Sequence, residues 1–148
     1  MSKDADELEV PTNKQMNRYN GKHWPCNKYN QVVVRKYYRG HKKYPATIGP
    51  QFRYCKKHGV RVQKGNRGRK VSTKKIKRGD IVFFFTKKNL KGVLGHTAIC
   101  GTEAKMHHGG IGRAFVVRYI YTIDYWCNKA YKFSPKTPGG SYVVYRLK

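Results

Sequence analysis

The stretch Gly79-Asp80-Ile81-Val82-Phe83-Phe84-Phe85, followed ten residues on by Gly95-His96-Thr97-Ala98-Ile99-Cys100, decides how this chain folds. Within each, Ile81–Phe85 and Thr97–Cys100 are short runs rich in β-branched and aromatic residues, which suit a pleated, half-buried strand. Glycines at 92, 95 and 101 punctuate the connections, as turns between neighbouring strands require. Further along, Ala114–Tyr121 reads as another strand. Tyr142–Leu147 reads as the last, after the turn Pro138-Gly139-Gly140.

Upstream the period changes. Cys26, Tyr29, Val33 and Tyr37 recur at +3, +4 and +4, one face of a helix that starts after Trp24-Pro25. The run Val32-Val33-Val34 is a poor helix former and works against it, and Gly40 and Pro45 end the segment. Residues 46–58 read as a second short helix closed by Gly59. One or two helices followed by strands predict an α+β domain, with the helix bearing Cys26 packed on an antiparallel sheet of about five strands. The length, 148 residues, suits one domain. Residues 1–13, with Asp4, Asp6, Glu7 and Glu9, read as an acidic flexible tail, and 14–148 as the single domain.

The chain carries 33 Lys and Arg against 7 Asp and Glu, a formal charge of +26. Such a surface repels itself and seeks polyanions. Residues 53–78 hold 12 of the bases and no acid. They read as leading through a basic loop, 60–78, to the turn at Arg78-Gly79-Asp80. Lys56, Lys57, Arg61, Lys64, Arg67, Arg69 and Lys70 form the expected docking face for nucleic acid or an anionic wall polymer. No stretch approaches 18 apolar residues, so no membrane-spanning helix is expected. The N-terminal residues lack a basic start followed by an apolar run, so no secretory signal is expected either. None of Cys26, Cys55, Cys100 and Cys127 forms a Cys-x-x-Cys pair, which argues against a disulfide scaffold. Cys55-Lys56-Lys57-His58 lacks a second ligand pair at zinc spacing, and the sequence signals no metal and no cofactor. The expected state is a monomer.

Three features occur in order: a cysteine at a helix start (Cys26), a Gly-Asp-Ile-Val-Phe-Phe strand (Gly79–Phe84), and a Gly-His-Thr-Ala-Ile strand (Gly95–Ile99). Met106-His107-His108 follows twelve residues past the histidine at its last position. This ordered set, from about Tyr19 to about Trp126, resembles the NlpC-type and CHAP-type branches of the papain-like cysteine peptidase superfamily. Pro25-Cys26-Asn27 with Tyr29 looks closer to the CHAP-type branch. The resemblance implies a papain-like domain that cleaves peptide or amide bonds of a cell wall, peptidoglycan or a pseudomurein-like polymer. It implies Cys26 as nucleophile, His96 as base and His108 as the third residue. His107 is the alternative third residue, and Tyr19 a candidate oxyanion or substrate contact. Without a signal, such an enzyme is expected to be made in the cytoplasm. It would reach the wall after lysis or holin release, as a virus or prophage lysin, or as part of a virus particle.

Elementary chemistry points the same way. A thiol attacks as thiolate, and an ordinary cysteine with pKa ~8.5 is mostly protonated at neutral pH. A helix N-terminus carries about half a positive charge, which favours the anion. An imidazole on a facing strand can take the sulfur's proton and return it to the leaving amine. Adjacent strand residues face opposite sides, so only one of His107 and His108 can point at His96. Asp80 reads as a turn residue ahead of its strand rather than as an acid catalyst. Two further readings use the same residues. One is a basic nucleic-acid-binding protein, whose Tyr and Arg side chains would serve stacking and phosphate contact. The other is an inactive relative that only binds wall.

Overall fold

The structure, a computed structural model, describes residues 8–20, 22, 24–66, 71–102, 105–107, 121–122 and 140–148. Three helices come first: α1 (Asn13–Tyr19), α2 (Cys26–Tyr37) and α3 (Ile48–His58). Strands follow: β1 (Gly59–Asn66), β2 (Ile81–Lys87), β3 (Lys91–Cys100), β4 (Lys105–His107), β5 (Tyr121–Thr122) and β6 (Ser141–Leu147). They form one sheet in the order β1-β6-β2-β3-β4-β5, every neighbouring pair antiparallel. The chain is thus a small α+β domain, as its sequence predicts.

The helical period works as expected in α2. Tyr29, Asn30, Val33 and Val34 are the buried positions, and Tyr37 is half-buried at the end. In the strands the period is two. Ile81, Phe83 and Phe85 face the helices with Ile99, Val143 and Tyr145, and meet Tyr29, Val33, Val34 and Cys55 in the first core cluster. Phe52 of α3 stands edge-on to Phe83, Phe85 and Tyr145, ring centres 5.3, 5.3 and 5.9 Å away, favourable aromatic geometry. Val82, Phe84, Ala98, Cys100, Tyr142 and Val144 face the other way and are covered by Val71 and Ile76. A sheet buried on both faces explains why β2 reads as a continuous apolar run, without alternation.

Several expectations need correction. The sheet has four strands of seven or more residues and two of three or fewer, in place of about five. The basic loop expected at 60–78 begins as β1, paired along β6 from Gly59↔Leu147 to Asn66↔Ser141. Its alternation (Val60, Val62) is slight beside the lysines and arginines, and a register shift between Arg61 and Gln63 breaks it. Residues 67–70 lie outside the described residues. The expected tail, 1–13, is anchored from Leu8 onward: Leu8 and Val10 pack on the core, and Arg78 Nε donates to Pro11 O at 2.9 Å. Thr12 then opens α1 with a capping box, its hydroxyl accepting from Gln15 N and Gln15 Oε1 accepting from Thr12 N. That Thr-x-x-Gln signature was present in the sequence, but the acidic residues before it obscured it. Of the strand expected at Ala114–Tyr121, only Tyr121 is described, and it begins β5.

Candidate active site

Cys26 is the first residue of α2. The residue before it, Pro25, provides no side-chain cap, so the amides of the first turn are left for another acceptor. The half-buried Cys26 sulfur takes that place: the backbone N–H groups of Cys26, Asn27 and Thr97 all act on it and pull its pKa down. Burial pushes the other way and wins, so the thiol lies above its ordinary value. The resting sulfur is therefore a protonated thiol, and a helix N-terminus by itself does not make it a thiolate.

Two buried amide side chains fix α2 against its surroundings. Gln51 of α3, fully buried, donates from Nε2 to Asn27 O at 2.9 Å and to Pro45 O at 2.8 Å. Asn27 Nδ2 in turn donates to Ala46 O at 2.8 Å. Asn30, one turn along α2 from Cys26 and also fully buried, donates from Nδ2 to Thr97 Oγ1 at 2.9 Å. The Thr97 hydroxyl passes its own proton to Val82 O at 2.8 Å. The helix that Cys26 opens is thus tied to β3 at the residue that directly follows His96.

His96 is buried, and its imidazole stacks on Phe84, its register partner on β2, at 5.8 Å between ring centres and 29° between planes. Phe84 belongs to the cluster on the sheet face away from α2. Thr97, the next residue, faces α2. Sulfur and imidazole therefore approach β3 from its two sides. Among the described residues β4 meets β3 at Ile99 and Cys100, beyond Thr97.

His107 pairs with Ile99 and is buried on the α2 side of the sheet. A side-chain carbon on Gly101 would come within 2.8 Å of His107 Nε2 and 2.7 Å of Asn13 Oδ1. His107 is thus turned to α1 and away from the face that carries His96. The expected third residue, His108, lies outside the described residues. Tyr19, at the end of α1, stacks on Trp24 at 5.9 Å, and its hydroxyl accepts from Lys36 Nζ at 3.0 Å. Lys36 sits ten residues along α2 from Cys26, a rise of about 15 Å, so the Tyr19 hydroxyl is engaged away from the sulfur.

Asp80 is a structural residue, in line with its turn position. It accepts from Lys77 N at 2.8 Å and holds Arg146 of β6 through two further contacts of 2.8 Å. Cys55 and Cys100 are buried thiols whose pKa values are pushed up by burial, Cys55 to about 12. Cys127 lies outside the described residues. Among the described residues no group of His, Cys, Asp and Glu side chains is placed to hold a metal, and no helix is long and apolar enough to cross a membrane. Of the basic docking face, Lys56, Lys57, Arg61 and Lys64 are exposed on α3 and β1, while Arg67, Arg69 and Lys70 lie outside the described residues. No family model, no curated protein and no solved structure matches the chain.

Sequence reasoning missed Thr97, Asn30 and Gln51. Asn30 had a visible signal: a polar residue four positions after Cys26, on the buried face of the helix. Gln51 had none, because its partners are backbone carbonyls that only folding brings to it.

Proposed function

We propose that the chain is a cysteine-dependent hydrolase that cleaves peptide or amide bonds of a cell wall, with Cys26 as nucleophile and His96 as base. One observation carries this reading. Cys26 opens α2, whose first turn has no side-chain cap, and Asn30, one turn along, ties that helix to Thr97, the β3 residue next to His96. Backbone donors that converge on a sulfur are suited to the negative charge that builds there and on a neighbouring carbonyl oxygen. The ordered resemblance of the Cys26, Gly79–Phe84 and Gly95–Ile99 segments to NlpC-type and CHAP-type peptidases supplies the substrate class. The exposed bases on α3 and β1 suit docking to an anionic wall polymer.

Because burial keeps the thiol protonated, the reaction begins with proton transfer. His96 stacks on Phe84 on the other side of β3 from the sulfur, so its ring must turn round the strand edge at Thr97 to take the proton from Sγ as the sulfur attacks the carbonyl carbon. The C–N bond then breaks, and the amine leaves with the proton held by the imidazolium. Water, deprotonated by the same imidazole, hydrolyses the thioester and releases the acid. With His107 turned to α1, His108 is left to orient His96. The role of virus or prophage lysin, or of a particle-borne enzyme, follows from the same resemblance.

The test is loss of turbidity of purified walls. Cys26→Ala, and wild type treated with iodoacetamide, are expected to lose at least a thousandfold in rate, because no other group replaces the nucleophile. If Cys26→Ala clears walls as fast as wild type, the thiol mechanism is wrong. Mass spectrometry of the released fragments names the bond.

A further inference from the structure

The contact between α2 and β3 includes a buried amide one turn from Cys26. Asn30 is fully buried, one turn from Cys26 on the same helix. Its orientation is dictated by its neighbours. The Thr97 hydroxyl spends its only proton on Val82 O, so toward Asn30 it can only accept, and Asn30 must present its NH₂ group. The Asn30 Oδ1 that results is buried and meets no donor among the described residues. A buried acceptor without a donor lowers stability, and an apolar side chain of the same size would avoid that cost. Packing therefore does not account for an asparagine at this position.

What Asn30 does hold is Thr97, through an unbranched run of two hydrogen bonds, Asn30 Nδ2 to Thr97 Oγ1 to Val82 O. Thr97 is the β3 residue whose N–H acts on the Cys26 sulfur. The run ties helix to strand at a level one turn below the thiol, which fixes how far α2 can slide along β3. We propose that Asn30 is a positioning residue for the Cys26 centre, fixing the start of α2 on β3 at Thr97, beside His96, at the expense of its own unmet acceptor. The proposal rests on the reading of Cys26 as the working thiol. It assigns Asn30 no contact with substrate.

The decisive measurement needs no substrate. The rate of iodoacetamide alkylation at Cys26, followed by mass spectrometry of the Cys26 peptide, is recorded against pH for wild type, Asn30→Leu, Thr97→Val and Thr97→Ser. Asn30→Leu and Thr97→Val are expected to raise the midpoint by about half a unit or more, which lowers alkylation at neutral pH about threefold. Thr97→Ser keeps the hydroxyl and is expected to keep the wild-type midpoint. Thermal unfolding of Asn30→Leu is expected at or above the wild-type temperature, which separates a role at the thiol from a role in holding the fold. On walls, Asn30→Leu is expected to lower kcat and leave KM in place. A folded Asn30→Leu or Thr97→Val with the wild-type midpoint overturns the proposal. Should Asn30→Leu fail to fold, Thr97→Val against Thr97→Ser decides the matter from the strand side. A midpoint that moves as expected, in a protein whose Cys26→Ala form still clears walls, sinks the hydrolase reading and upholds the control of the sulfur by Asn30.

Discussion

At Cys26 two effects of the same fold oppose each other. Burial at the start of α2 raises the pKa of its sulfur, while the backbone amides of Thr97, Asn27 and Cys26 lower it. Burial wins, so the thiol rests protonated. Asp80 shows the other use of a buried charge. Its carboxylate is almost wholly enclosed, and all its contacts are donors: Lys77 N, Arg146 Nε and one Arg146 Nη. Asp80→Ala leaves the Arg146 guanidinium without its counter-charge in a half-enclosed place. It is expected to destabilise the protein by about 3 kcal/mol in urea unfolding, and the pair Asp80→Ala with Arg146→Met by clearly less. A double-variant loss equal to the sum of the separate Asp80→Ala and Arg146→Met losses would show that the pair contributes nothing beyond its separate parts.

At the scale of elements, the turn into β2 explains why the chain before α1 is anchored. Gly79 has φ +94°, and a side-chain carbon there would fall 2.7 Å from Val10 Cβ and Cγ1. Its carbonyl accepts from Tyr38 OH at 2.7 Å and its N–H donates to Cys100 O at 2.7 Å, so the backbone has nowhere to move. Gly79→Ala therefore meets both a disfavoured backbone conformation and a clash, and is expected to cost about 2 kcal/mol or more. Adding Val10→Ala removes the contact with Cγ1 but keeps the one with Cβ, so it is expected to recover only part of the loss. Thermal unfolding of the single and double variants measures both, and a Gly79→Ala protein as stable as wild type would refute the close approach of Val10. β1 shows where element reading fails. Seven of its eight residues pair along β6, but Arg61 and Lys64 and the shift at Arg61/Gln63 hide the alternation that marks a strand.

At the scale of the whole molecule, two opposite demands meet. The surface carries most of a net charge of +26, while the core encloses groups that resist ionisation. Cys55, with a folded pKa of about 12 against an ordinary 9.0, and the enclosed Tyr38 and Tyr44, pushed up by burial, all stay protonated in the fold. Each binds its proton more tightly folded than unfolded. Their contribution is therefore intact below pH 9 and is lost as pH rises from about 9 toward 12, where only the unfolded chain releases the protons. Stability measured by urea unfolding is expected to fall steadily across that range, and Cys55→Ala to flatten part of the fall. A pH-independent stability between 9 and 11 would contradict the enclosure of these groups.

The sequence alone determined much of this protein. The period of Cys26, Tyr29 and Val33 set α2, the apolar runs at Ile81–Phe85 and Tyr142–Leu147 set the central strands, and Gly79-Asp80 marked the turn before β2. These are local signals: each depends on residues a few positions apart and on how a helix or strand repeats. Tertiary structure alone decided that β1 lies beside β6, that His107 faces α1, that Thr97 meets Asn30 beside His96, and that Gln51 holds the start of α2 in place. The partners in these cases are backbone groups or side chains distant in sequence, and a backbone amide or carbonyl is the same in every residue but proline. Sequence leaves no mark of where such a group will point until the chain has closed around it.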